Sequence, residues 1–172
     1  PFLVLATQNP LETEGIYPLP ESQMDRFMMR LSVGYPTGEQ EMEIIRRQLV
    51  QHPIELLEPV CTIEDVICCR DAVAHCQVSD ELLSYAVELV RRSRTHPAVA
   101  LGASPRGSIC LVKAAQALAV ARGRKFVIPD DIKSLTKACL AHRLVLRAEA
   151  RAEGVAPETI LDEALEQVEV PA

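Results

Sequence analysis

Residues 104–123 read SPRGSICLVKAAQALAVARG, and this stretch decides the fold class. Ser104 and Pro105 are typical of the first positions of a helix, and Gly123 is typical of the residue that follows one. Apolar residues recur on every side of the predicted helix, at Ile109, Leu111, Val112, Ala115, Leu118, Ala119 and Ala121. A helix that is apolar all round is buried, so we expect this one at the centre of a helical bundle.

Further amphipathic helices are predicted on both sides of the central one. Capping residues and apolar stripes place them at 39–52, at about 62–75, from 79 to about 94, from 129 to about 140, and at 157–168. Thr62 is a predicted N-cap with Asp65 as its reciprocal partner, and Ser79 caps the next helix. The sequence therefore predicts four core helices with additions.

The N-terminal part reads differently. Phe2 to Ala6 form a continuous apolar run, which is typical of a strand buried on both faces of a parallel sheet. Such a strand needs neighbours, so we expect the chain to begin inside an α/β domain. Pro20 opens a short helix whose buried face is predicted to hold Met24, Phe27, Met28 and Leu31. We place the domain boundary after residue 36, with an α/β remnant at 1–36 and the helical domain at 37–172.

Composition limits the classes of function. The chain has 172 residues, of which 48% are apolar and 24% charged, so it is not disordered. The 18 Lys and Arg against 24 Asp and Glu give a net charge of −6, which argues against a nucleic-acid partner. No apolar run approaches the ~18 residues that span a bilayer, and no signal peptide is evident. We predict a cytoplasmic protein without a membrane span.

The cysteines are predicted to be reduced core thiols, because they lie mostly in helical apolar patterns of a chain without an export signal. They are Cys61, Cys68, Cys69, Cys76, Cys110 and Cys139. No CxxC or paired-histidine spacing completes a tetrahedral set, so no metal site is predicted.

Three residues stand where chemistry is possible, and each has an alternative reading. Asn9 follows the predicted strand, where ligands bind in α/β sheets; its amide either orients a water or closes an Asx turn. Arg26 points away from the core stripe and is either a solvated surface residue or a group that reaches another subunit's phosphate. Arg106 occupies the second position of the central helix and is either an anion ligand or a surface residue.

Several motifs together resemble the MoxR-type AAA+ ATPases. They are ATQNP at 6–10, EGIYPLPESQMDRF at 14–27, GASPRG at 102–107, VIPDDI at 127–132 and HRLVL at 142–146. The resemblance implies a mainly α fold, in which an AAA+ helical lid bundle follows the last strand and helix of a P-loop α/β core. It also implies roles for three residues. Asn9 is sensor one, Arg26 is the arginine finger acting on a neighbouring subunit, and Arg106 is sensor two.

The nucleotide cradle itself has no counterpart in these residues. Neither the phosphate-binding motif G-x-x-x-x-G-K-[ST] nor an apolar strand ending in an Asp-Glu pair occurs. By the resemblance, these parts lie upstream of Pro1 and bind most of the ATP and Mg²⁺, so the segment alone is predicted not to hydrolyse ATP. The resemblance further implies a homo-oligomer, a hexameric ring with a chaperone-like role, and a von Willebrand factor A domain partner. The alternatives are a non-catalytic helical interaction module and a nucleic-acid-handling relative, which the acidic charge disfavours.

Overall fold

A computed structural model describes residues 1–8 and 19–171. Eight helices and two short strands follow one another within the described ranges. Their bounds are α1 Glu21–Met24, α2 Gly38–Val50, α3 Ile63–Ala74, α4 Asp80–Thr95, β1 Val99–Leu101, α5 Pro105–Ala121, α6 Pro129–Leu140, β2 Val145–Leu146, α7 Ala148–Ala152 and α8 Pro157–Gln167. Two 3₁₀ turns lie at Pro53–Leu56 and Ala141–Arg143. The mainly α prediction is confirmed.

Helix α5 lies at the centre of the bundle, as predicted. It packs against α3, α4 and α6, and α8 closes the bundle over α4 and α6. Leu111, Ala115 and Ala119 have no exposed surface. Ile109 is an exception, since 56% of it is exposed. Lys113, Ala117 and Ala121 are exposed on the same face, so the central helix keeps one strip on the surface along its length.

Local capping sets the helix boundaries where the sequence predicts them. The Thr62 hydroxyl accepts from the Asp65 N–H while the Asp65 carboxylate accepts from the Thr62 N–H. The Ser79 hydroxyl accepts from the N–H of Leu82 at the start of α4. Gly123 has φ +75°, a left-handed conformation that glycine adopts without steric cost, and it ends the run of α5. These signals act within four residues, which is why the sequence reveals them.

The two strands pair with each other. β1 and β2 are antiparallel, with Val99 opposite Leu146 and Leu101 opposite Val145, and an irregularity in register lies between the two pairs. This small ladder ties the segment before α5 to the segment after α6. It positions the N-terminus of α5 beside the turn that follows α6.

The N-terminal part departs from its prediction. Residues 2–6 do not form a strand, and Phe2, Leu3 and Leu5 are at least 79% exposed. A strand at this place needs neighbours to pair with, and the described residues offer none. The helix opened by Pro20 ends at Met24, and Leu31, predicted for its buried face, is 72% exposed. Among the described residues, every buried one lies between Cys76 and Val168.

The cysteine prediction is wrong for half of the thiols. All six are free, but Cys61, Cys68 and Cys69 are exposed, whereas Cys76, Cys110 and Cys139 are buried. Cys68 and Cys69 lie within α3 and Cys61 lies just before it, where the apolar pattern predicts burial. α3 presents few residues to the bundle, since none of its described residues is buried. Within the described ranges, no helix combines the length and the apolar character needed to cross a bilayer.

Candidate functional site

The structure brings the turn after α1 against the N-terminus of α5. Asp25 and Arg26 lie in that turn, and Arg106 is the second residue of α5. An Nη1 donor of Arg106 lies 3.4 Å from Asp25 Oδ2, and the Ser104 hydroxyl donates to the same oxygen at 3.2 Å. Arg26 and Arg106, two of the three residues predicted for the site, therefore lie on segments that meet at the Asp25 carboxylate. Asn9 lies outside the described residues.

Ser104 explains part of this arrangement. A serine before a helix usually accepts from the backbone of the first turn, but Ser104 makes no such capping bond. Its hydroxyl is turned to Asp25 instead. Pro105 has no N–H, and the Gly107 N–H donates to the Ser104 carbonyl oxygen at 2.8 Å. The Arg106 N–H has no partner among the described residues, and this end of the helix favours negative charge.

The Arg106 guanidinium stays available to other anions. Its side chain is 48% exposed, and the pair with Asp25 is long. An exposed ion pair of this kind contributes about 1 kcal/mol at most. A phosphate oxygen at normal hydrogen-bond distance accepts from a guanidinium more strongly than the Asp25 carboxylate does at 3.4 Å, so a phosphate can compete for Arg106.

Arg26 is exposed, and its side chain makes no ion pair with any residue in 1–8 or 19–171. Arg30, four residues on, lies 3.7 Å from Glu158 on α8. Arg26 thus carries a permanent charge on a short turn and points away from the bundle core, as predicted.

Sequence reasoning missed the residue that holds this turn in place, Arg143. Only 1% of its side chain is exposed. Its Nε donates to Asp25 Oδ1 at 3.1 Å, and its Nη2 donates to the carbonyl oxygens of Phe27 at 2.6 Å and of Asp25 at 3.2 Å. Its Nη1 donates to the carbonyl oxygens of Met28, at 3.4 Å, and of Cys139. A buried guanidinium is stable only when its donors are satisfied, and here the turn after α1 supplies most of the acceptors.

His142 belongs to the same cluster. Burial lowers the pKa of His142, and the nearby charge of Arg143 lowers it further, so the imidazole is neutral. Its Nε2 lies 2.6 Å from Arg143 Nη1, which places the acceptor lone pair on Nε2 and the proton on Nδ1. That Nδ1 is buried, and no described atom is its hydrogen-bond partner. The neutral ring adds no second positive charge beside Arg143.

Two arginines that follow the central helix, Arg122 and Arg124, are neutralised within the bundle. Asp131 is fully buried and accepts from Arg124 at 2.6 Å and from Arg122 at 3.2 Å. Burial alone would raise the pKa of Asp131, but the bonds from Arg124 and from the Ile128 N–H outweigh it, so the pKa of Asp131 lies below its usual value. These arginines therefore stabilise the α5–α6 connection.

The donor set of the site suits a phosphate group rather than a metal ion. Guanidinium groups and helix N–H groups donate to phosphate oxygens and cannot ligate a cation. No cluster of three His, Cys, Asp or Glu side chains that could hold a metal occurs in the described part of the chain. Any Mg²⁺ bound with a nucleotide would have to find its protein ligands elsewhere.

Comparisons with known proteins identify the class. Residues 91–164 match the AAA lid domain family, and residues 1–29 match the ATPase family associated with various cellular activities (AAA). The crystal structure of a protein assigned as an ATPase from Cytophaga hutchinsonii superposes with a TM-score of 0.93 and 37% sequence identity. The superposition covers 100% of this chain and 55% of the chain from Cytophaga hutchinsonii. The fold is that of an AAA helical lid following a short segment of the core domain.

Two curated relatives narrow the family. The chain is 49% identical over 171 residues to the YeaC protein of Bacillus subtilis, covering 99% of the chain and 53% of YeaC. It is 41% identical over 180 residues to Chaperone MoxR1 of Mycobacterium tuberculosis, covering 99% of the chain and 47% of that protein. The chain belongs to the MoxR-type AAA+ ATPases, as its motifs indicate. It spans about half the length of the curated relatives it matches.

Proposed function

We propose that this chain is the C-terminal part of a MoxR-type AAA+ ATPase that hydrolyses ATP at the subunit interfaces of a ring and remodels or assembles client proteins. One observation carries the proposal. Arg26 and Arg106 stand on segments that converge on Asp25, and both guanidinium groups are accessible to a phosphate. Permanent charges placed where negative charge develops are the main protein contribution to phosphoryl transfer.

Arg106 acts as sensor two in this proposal. The Arg106 N–H, which has no partner among the described residues, and the Arg106 guanidinium both favour an anion at the same helix end. Exchange of the Asp25 carboxylate for a phosphate oxygen would link the bound nucleotide to the position of the helical lid. Asn9, as sensor one, would orient the attacking water through its amide.

Arg26 acts as the finger that stabilises charge on a neighbouring subunit's γ-phosphate. Fingers of this kind raise turnover by ~10³ to 10⁵. ATP with Mg²⁺ is the proposed cofactor, and the phosphate-binding loop and metal ligands are proposed to lie in a preceding part of the polypeptide. A segment without them is expected neither to bind ATP tightly nor to hydrolyse it. Calorimetric detection of micromolar ATP binding to residues 1–172 would contradict this.

The assembly is proposed to be a hexameric homo-oligomer in the cytoplasm, with a von Willebrand factor A domain protein as a partner. The Chaperone MoxR1 relative supports a chaperone-like role. A head-to-tail ring is the arrangement that a finger acting in trans requires, because each subunit must present one surface to the next.

The substitution Arg26→Ala in the full-length protein tests the proposal. Steady-state ATP turnover is expected to fall by ~10³ while nucleotide affinity is unchanged, since the finger stabilises only the transition state. Arg30→Ala is the matched control, because Arg30 is an exposed arginine of the same segment whose side chain pairs only weakly with Glu158. Unchanged turnover of Arg26→Ala in assembled rings would remove Arg26 from this role.

The alternative function, a non-catalytic helical interaction module, is favoured by one observation. The apolar stripe of α2, formed by Met42, Ile45 and Leu49, is 51–80% exposed. A module of this kind would bind a partner through such a surface without using nucleotide. A full-length protein that assembles but shows no ATP turnover would favour the module.

A further inference from the structure

Nothing within α1 itself fixes the position of Arg26. The helix has four residues, and none of them is buried. Its first residue follows Leu19 and Pro20, both of which are exposed. A one-turn helix without a buried face has little stability of its own, so the orientation of Arg26 must come from contacts made by the residues around it.

Those contacts come from the end of α6 and the turn after it. Arg143 donates to the carbonyl oxygens of Asp25 and Phe27, the two residues that flank Arg26, and to the carbonyl oxygen of Met28. The N–H of Arg30 donates to the Ala138 carbonyl oxygen at 2.9 Å. The backbone on both sides of Arg26 is thus fastened to the helical bundle.

We propose that Arg143 is a positioning residue for Arg26: it makes the finger segment move as one body with the helical lid. This inference rests on the proposed function, in which Arg26 acts on a neighbouring subunit. The guanidinium of Arg143 holds several acceptors at once because its five N–H groups are fixed in one plane. Its side chain is almost wholly excluded from solvent, so it is not itself a ligand for nucleotide.

The same geometry connects two nucleotide sites. Asp25 accepts from both Arg143 and Arg106, and Arg106 opens the central helix of the lid. A change in lid angle at one subunit's nucleotide therefore carries the finger with it and changes how that finger meets the next subunit's phosphate. Without Arg143 the lid would still respond, but the finger would not follow.

Two variants of the full-length protein test this, Arg143→Gln and Arg143→Lys. Arg143→Lys keeps a positive charge opposite Asp25 but cannot reproduce the planar set of donors. Both are expected to lower kcat toward the value of Arg26→Ala, with KM for ATP unchanged, because each subunit's own nucleotide site is intact. Thermal unfolding and ring assembly are measured alongside, and Arg143→Lys remains informative where Arg143→Gln does not fold.

Mixed rings give a readout that general damage to the fold would not produce. A subunit with Arg26→Ala lacks a finger but has an intact site, whereas a subunit with Asn9→Ala has a finger but an impaired site. In a random one-to-one mixture about one head-to-tail interface in four combines an intact site with an intact finger, so turnover returns to about a quarter of wild type. This mixture is the positive control.

The Arg143 variants are expected to behave as fingerless subunits. Mixed with Asn9→Ala subunits they regain turnover to the level of the control, and mixed with Arg26→Ala subunits they regain none. Recovery with Arg26→Ala, or wild-type turnover of Arg143→Lys alone, would overturn the inference while leaving the proposed function intact. An inactive control mixture would instead overturn the proposed arrangement of fingers, and the inference with it.

Discussion

The buried ion pair between Asp25 and Arg143 makes a quantitative prediction about stability. Asp25→Ala removes the carboxylate that faces a guanidinium with 1% exposure. Removing one partner of a buried pair costs ~3–5 kcal/mol, and because Asp25 itself is one-quarter exposed we expect the lower end, ~3 kcal/mol. The pair with Arg106 adds little, since it is long and half-exposed. For a chain of this length, ~3 kcal/mol lowers Tm by roughly 6–12 °C.

Denaturant unfolding followed by circular dichroism measures this change, and Asp162→Ala is its matched control. Asp162 Oδ1 lies 2.7 Å from Lys137 Nζ, a shorter distance than either ion pair of Asp25, but both partners are about half-exposed. Asp162→Ala is therefore expected to cost less than ~1 kcal/mol. If Asp25→Ala were no more destabilising than Asp162→Ala, burial would not increase the contribution of the Asp25–Arg143 pair to the free energy of unfolding, and the reasoning would be wrong.

Two further predictions concern titratable groups. In the native protein, a chromogenic disulfide reagent is expected to modify three thiols rapidly, Cys61, Cys68 and Cys69, and the other three only slowly. Burial raises the pKa of Cys139 to about 11, which suppresses its thiolate; rapid modification of Cys139, located by mass spectrometry, would contradict its burial. The pKa of Asp131 is lower in the folded state than in the unfolded state, where it is about 3.9. The ionised carboxylate therefore stabilises the fold at any pH above about 3.9, and this stabilisation is lost as the pH falls through the folded-state pKa. The difference in unfolding free energy between wild type and Asp131→Asn is thus expected to be largest near pH 7 and to shrink below about pH 4; an equal difference at both would rule out this linkage.

The sequence predicts the helical bundle well because its signals are local. The Thr62 capping box, the Ser79 cap and Gly123 each act within one turn, and the apolar character of residues 109–121 places α5 at the centre. The predicted strand at 2–6 does not form, because a strand depends on pairing partners and the described residues offer none. The prediction that the cysteines at and before α3 are buried fails for a similar reason. Periodicity shows which face of a helix is apolar but not which other residues cover that face.

The candidate site was predictable only in part. Arg106 follows a serine and a proline at a helix start, so its position in the first turn, at the positive end of the helix dipole, could be predicted. Arg143 could not be found this way, because its partners Asp25 and Phe27 lie more than a hundred positions away in sequence. A signal was present in Asp25, an acidic residue beside a predicted finger, but a carboxylate on a short helix is also typical of an ordinary solvated surface.

Among the described residues, the buried ones are confined to the stretch from Cys76 to Val168. This stretch therefore resists local unfolding more than the rest of the molecule does. Amides of α1 and α2 can exchange their hydrogens through small local fluctuations, whereas those of α4, α5 and α6 require loss of the bundle. The backbone from Asp25 to Arg30 is the exception, since its carbonyl oxygens and one N–H are bonded to residues of that bundle. Residues 25–30 are therefore expected to resist local unfolding as strongly as the helical bundle does, although the bundle residues that hold them lie more than a hundred positions later in the sequence.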